Sequence, residues 1–268
     1  MTALPAALLA AEWTRLTSTR LWLWGLLAAL GSGAFVGLLA LAGPENFTPP
    51  LPGLDTAQGT HVLLGLLGCT VFAPALLGTV AVSSEYRHRT ITTTTLFAPR
   101  RWTWLAAKLA VYTGAGLAYG AVAAIVAGGA LFGVAVLKGI TLGLPTVTVA
   151  ALLARIALTM AVYTLLGVAV GALLRNQVTA LVAVGAYFYM IETVLMLIPG
   201  IKELYPYLPG GATAALTGFT YLADALAGQT GTSAAHLLSA PAGAAVLVCY
   251  ALIAIAVAVA APLRRDIM

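Results

Sequence analysis

The chain has 268 residues, 61% of them hydrophobic and 8% charged, with a mean hydropathy of +1.01. About a quarter of the residues in a soluble domain are charged, so this composition excludes a water-soluble globular protein, and no polar stretch is long enough to enclose a core of its own. A net charge of +5 and a pI near 9.4 would suit a nucleic-acid binder if the basic residues formed a stripe; here they fall in short clusters between apolar runs, which reads as membrane topology and lipid-headgroup contact, with no nucleic-acid partner.

The N-terminal stretch "MTALPAALLAAEWTRLTSTR" puts its charges after its apolar part, unlike a secretory signal. Pro5 can open a helix in which Leu9, Trp13 and Leu16 share one face and Glu12, Arg15 and Thr19 another. This predicts an interfacial helix over residues 1–20 with Trp13 and Arg15 as anchors; the competing reading is a cytoplasmic extension of the first membrane helix.

A helix needs about 20 mostly apolar residues to cross the hydrocarbon core. Six stretches meet that length, near 21–42, 61–82, 105–137, 147–174, 178–198 and 241–263, so the expected fold is an all-α membrane protein of six transmembrane helices in a single domain, residues 1–268. Gly-x-x-x-Gly pairs at Gly33/Gly37, Gly116/Gly120, Gly129/Gly133 and Gly167/Gly171 offer close helix crossings, although 28 glycines supply some such pairs by chance. With six crossings both termini share a side, and ten of the thirteen basic residues fall there, leaving Lys138, Arg155 and Lys202 opposite. The excess of Lys and Arg on cytoplasmic flanks then places both termini in the cytoplasm. Arg far outnumbers Lys, and Ala, Gly and Leu abound, which hints at a GC-rich bacterial genome and a bacterial cell membrane.

Enzyme signatures such as His-Glu-x-x-His or Gly-x-Ser-x-Gly are missing, and so is the Gly-x-x-x-x-Gly-Lys-Ser/Thr phosphate loop. If the protein uses ATP, another chain hydrolyses it. His61, His88 and His236 are isolated from one another, and Cys69 and Cys249 read as small buried hydrophobes. Glu192 is the one carboxylate within a span, and Arg155 falls within the fourth. Glu192 reads either as a functional carboxylate or as a group paired with a Tyr or with Arg155, and Arg155 either snorkels outward or lines the interior.

The connector "SSEYRHRTITTTTLFAPRRWTWLAAK", residues 83–108, is far longer than the 2–8 residues usual between packed helices. A short helix near 90–98, ended by Pro99, is expected, with Arg100 and Arg101 at lipid phosphates and Trp102 and Trp104 in the interface. Something should dock there.

These residues resemble the membrane subunits of ATP-binding cassette (ABC) exporters of the second permease class, especially the actinobacterial branch. The resemblance runs along the whole chain, through the connector, "GVAVGALLRNQ" and "YLPGGATAALTG". It implies that Glu85, Tyr86, Arg87, Arg89, Thr90, Ile91, Thr94 and Leu96 form a cytoplasmic coupling helix docked on a separate ATPase subunit, helped by the N-terminal helix. It further implies short re-entrant helices within residues 199–240, a second permease chain as partner, membrane lipids around the bundle, and alternating access as the mechanism. ATP and Mg would sit on the partner ATPase, with no cofactor and no catalytic residue on this chain. The alternative is a non-transporting membrane anchor or sensor subunit.

Overall fold

A computed structural model describes residues 3–48, 50–87, 101–174, 176–198, 201–230 and 236–263. Every regular element among them is a helix. Helix α1 (Ala3–Ser18) is separated by a break at Thr19 and Arg20 from α2 (Leu21–Ala42), so the N-terminal helix is distinct rather than a continuation of the first span. Helices α3 (Ala57–Gly68) and α4 (Phe72–Arg87) form one span, joined through a tight 3-10 turn at Cys69–Val71. The turn has a local cause: Pro74 has no N–H to offer the carbonyl of Thr70.

Helix α5 (Arg101–Lys138) ends at Gly139, φ +65°, where the N–H of Ile140 reaches back to Ala135 and that of Gly139 to Val136, the paired bonds of a Schellman ending. After Pro145 comes α6 (Thr146–Leu173). The side chain of Asn176 then caps α7 (Gln177–Ala186) by accepting from the N–H groups of Val178 and Thr179. A π turn at Tyr187–Ile191 leads into α8 (Glu192–Leu197). Between the fifth and sixth spans lie a 3-10 turn (Lys202–Tyr207), α9 (Pro209–Thr217) and α10 (Tyr221–Thr230), and α11 (Ala240–Leu263) closes the order.

Among the described residues six helices are long and apolar enough to cross a membrane, each close to its expected stretch. The second is longer than hydropathy alone suggests, reaching Ala57–Arg87, because polar residues at its end are buried and keep it helical. Helix α6 is the hub: it packs on α4, α5 and α11, and 67% of its apolar window is enclosed, against 17% for the last span. Outward faces carry Leu38, Ile125, Val136, Val147, Val182 and Leu252, all exposed. Apolar surface on that scale suits hydrocarbon rather than water.

Glycines set the crossings. A methyl group on Gly167 would overlap the carbonyl oxygen of Ala75, and one on Gly78 would overlap that of Thr164, so α4 and α6 touch backbone to backbone. Gly116 and Gly120 meet Ala161 and Ala157 where α5 crosses α6, while Gly33 and Gly37 meet Val126 and Ala130 where α2 crosses α5. Three of the four Gly-x-x-x-Gly pairs therefore lie in contacts; Gly129 and Gly133 face open space.

Helix α1 corrects one expectation. Glu12, placed by periodicity on an outward polar face with Arg15, is 1% exposed and turned into the bundle beside Leu16. Trp13 and Leu9 are the residues that face out. The ion pair of Glu12 with Lys108 on another helix, together with the packing of Leu8 and Leu16, sets the rotation of α1.

Candidate functional site

Among the described residues, a group of buried ionisable side chains stands at one end of the bundle, and a buried carboxylate, Glu192, with an exposed arginine, Arg155, stands at the other. The first ties α1, the end of α4 and the start of α5 together. Lys108 Nζ, 1% exposed, lies 2.7 Å from Glu12 Oε2 and 2.7 Å from Glu85 Oε1. Arg15 Nη1 bridges the same two carboxylates, at 2.8 Å from Glu12 and 3.2 Å from Glu85. The Trp104 indole N–H donates to Glu12 Oε1 at 3.0 Å, and the Lys108 ammonium sits over the rings of Trp104 and Tyr112 at 5.4 and 5.5 Å. Two anions face two cations, so the node is neutral as a unit, and loss of one member would strand a charge in a dry interior.

Glu85, expected in the coupling segment, has a side chain that is 7% exposed and paired with Lys108 and Arg15. Arg87, at the end of α4, is exposed and donates to the Gln177 side chain at 3.1 Å, joining the ends of the second and fifth spans. Tyr86 is half-buried against the same connector-end apolar cluster as Leu16 and Trp104. Arg89, Thr90, Ile91, Thr94, Leu96 and Arg100, with the short helix expected near 90–98, lie outside the described residues; Arg101 and Trp102 begin α5, and their side chains are likewise outside the description. Among the expected interfacial anchors, Trp13 is exposed and Arg15 is split between solvent and the node.

The second group involves Glu192 and Arg155, which do not pair. They hold opposite ends of α9 instead. Gly210 N–H donates to Glu192 Oε1 at 3.1 Å near the N-terminus of α9, and Arg155 Nη1 donates to the Leu216 carbonyl at 3.4 Å near its C-terminus. An anion at the first turn and a cation at the last complement the helix dipole. The alternative of a Tyr partner for Glu192 is met by Tyr187, whose hydroxyl hydrogen-bonds the carboxylate. The π turn explains that pairing: its wider winding brings residues five apart onto one face. Arg155 is exposed.

Glu192 also lines a cavity of about 220 Å³ between the middle of the second span, α6, α8 and α9. Six aromatic side chains are among its walls, those of Phe72, Tyr163, Phe188, Tyr189, Tyr205 and Phe219. The Tyr163 and Thr213 hydroxyls, both of lining residues, hydrogen-bond each other at 3.1 Å. Burial, followed by the Glu192 charge, pushes the Tyr205 phenol above its usual range, so it stays a neutral hydroxyl. A larger cavity, about 500 Å³, opens between α1, α2 and α5 and is walled almost wholly by carbon, including Leu16, Trp22, Tyr112, Tyr119 and Val122.

Three features were beyond sequence reasoning: the burial of Glu12, the junction role of Lys108, and the capping of α9 from two other helices. The available signal was weak. Lys108 stands alone among apolar residues, which marks a side chain in need of a partner without saying where that partner is, and Glu12 is followed by Arg15, which reads as a local polar face.

Comparison with known proteins finds no family model and no curated protein that matches the chain.

Proposed function

We propose that this chain is the membrane subunit of an ATP-driven ABC exporter of the second permease class, in a bacterial cell membrane with both termini cytoplasmic. The observation that carries the proposal is the four-charge node of Glu12, Arg15, Glu85 and Lys108. It clamps the two ends of the basic connector to each other and to α1, so a push on the connector enters α4 and α5 together instead of being lost in a slack loop. The fold supplies the rest of the path. Helix α4 crosses α6 with backbones in contact, and α6 packs on α11.

In this reading the connector docks on a separate ATPase subunit through Arg87, Arg89 and the segment 90–96, while Glu85 serves as the rigid footing behind it. ATP and Mg reside on that partner, two permease chains form the pathway, and the helices of residues 199–240 are the outer, re-entrant elements. Substrate moves by alternating access.

Co-purification tests this. Full-length chain drawn from its native membranes in mild detergent should bring an ATP-hydrolysing subunit with it, and Arg89→Glu should cut that recovery at least tenfold while leaving the bundle folded. Recovery of the chain without an ATPase would overturn the proposal.

A further inference from the structure

The Glu192 cavity has a chemical imbalance that its role at the end of α9 leaves unresolved. The carboxylate is 6% exposed and accepts hydrogen bonds from two neutral donors, Gly210 N–H and the Tyr187 hydroxyl. Among the described residues no cationic side chain is paired with it, and none of the residues lining the cavity is Lys, Arg or His. A carboxylate offers about four acceptor positions, so two hydrogen bonds leave capacity for another partner. Taking such a group out of water in its charged form costs several kcal/mol, which a cation beside it offsets. At the other end of the bundle the protein supplies those cations itself, from Arg15 and Lys108; here it supplies aromatic rings.

Six aromatic side chains around one carboxylate form the setting in which an ammonium group is held, by the ring faces on its sides and the anion at its end. Phe72 and Tyr189 stand edge to face with centroids 5.3 Å apart, and Tyr163 and Phe188 lie 5.0 Å apart, so the walls are braced against one another. Size narrows the ligand further. At about 220 Å³ the cavity is smaller than the roughly 300–1,000 Å³ of sites for drug-sized molecules, yet it exceeds the space of a single water many times over. It admits a compact cationic head and leaves any longer tail outside. Gly210 permits the arrangement, since a methyl group there would overlap Glu192 Oε2 and push the carboxylate off its position.

We infer that the cavity enclosed by Glu192, Phe72, Tyr163, Phe188, Tyr189 and Tyr205 is a binding site for a small organic ammonium group. The inference concerns binding at equilibrium and requires no ATPase partner, so it stands or falls separately from the transport proposal.

Choline and its uncharged isostere 3,3-dimethyl-1-butanol are the probes, and the two native cysteines report location. Cys69 lines the cavity; Cys249, on α11, is not among its lining residues. With purified full-length protein in lipid nanodiscs, choline should bind saturably, at least tenfold more tightly than the isostere. It should also slow modification of Cys69 by a small thiol reagent at least threefold while leaving Cys249 unchanged. Glu192→Gln keeps an oxygen to accept from Gly210 N–H and removes the charge, so it should weaken choline at least tenfold. Glu203→Gln, which removes an exposed charge on the neighbouring turn, should leave binding as it was. Equal affinity for choline and the isostere, no saturable choline binding up to 10 mM, or unchanged affinity in a folded Glu192→Gln variant would each overturn the inference. Should Glu192→Gln fail to fold, the charge preference and the Cys69 protection of the wild-type protein decide the matter without it.

Discussion

The two ends of this bundle treat buried carboxylates in opposite ways. At the connector end, Glu12 and Glu85 are matched by Arg15 and Lys108 within 2.7–3.2 Å, and the charges sum to zero. At the other end Glu192 meets two neutral donors, an aromatic cavity and no cation among the described residues. A balanced node is a fixed part, because each member is held by the others; an unbalanced carboxylate next to a cavity is an opening for a partner from outside. The same residue type thus serves as a rivet in one place and as a recognition element in the other.

The largest test of this contrast is Lys108→Met, which leaves two carboxylates facing Arg15 alone. It should cost about 3–5 kcal/mol, read by denaturation in detergent. Glu12→Gln combined with Lys108→Met restores a matched pair, Arg15 with Glu85, and should recover at least half of that loss. Strict additivity of the two changes would mean that the node is no unit. Next in size is Gly167→Ala: the added methyl group forces α4 and α6 apart and should cost about 1–3 kcal/mol in the same assay. Gly129→Ala, where nothing lies within 4 Å, should be neutral by comparison. Smallest is Arg155→Gln, which removes a cation from the end of α9 and should cost about 0.3–1 kcal/mol. A loss as large as that of Lys108→Met would show that the Glu192 end, too, rests on a charge framework.

Hydropathy made the six spans legible because hydrocarbon imposes a length and a composition on each crossing separately. Small residues one turn apart announced the crossings at Gly33, Gly116 and Gly167 for the same local reason. What periodicity could not reveal was long-range pairing. Glu12 reaches Lys108 across 96 positions and Arg15 reaches Glu85 across 70, so α1 looked like an amphipathic helix with its acid outward until its partner was in view. Glu192 and Arg155 stood out as intramembrane charges, yet their separate duties at the two ends of α9 depend on where that helix lies. The π turn that aims Tyr187 at Glu192 carries no Pro or Gly within Tyr187–Ile191 to announce it.

The account turns on the basic connector being a cytoplasmic docking surface footed on the charged node. Its most direct test is the accessibility of a single cysteine at that connector, Arg89→Cys in a Cys69→Ser, Cys249→Ser background, to a membrane-impermeant maleimide. Labelling only after the membrane is permeabilised is the predicted result. Labelling in intact cells would put the connector outside, beyond the reach of any ATPase, and would contradict the account.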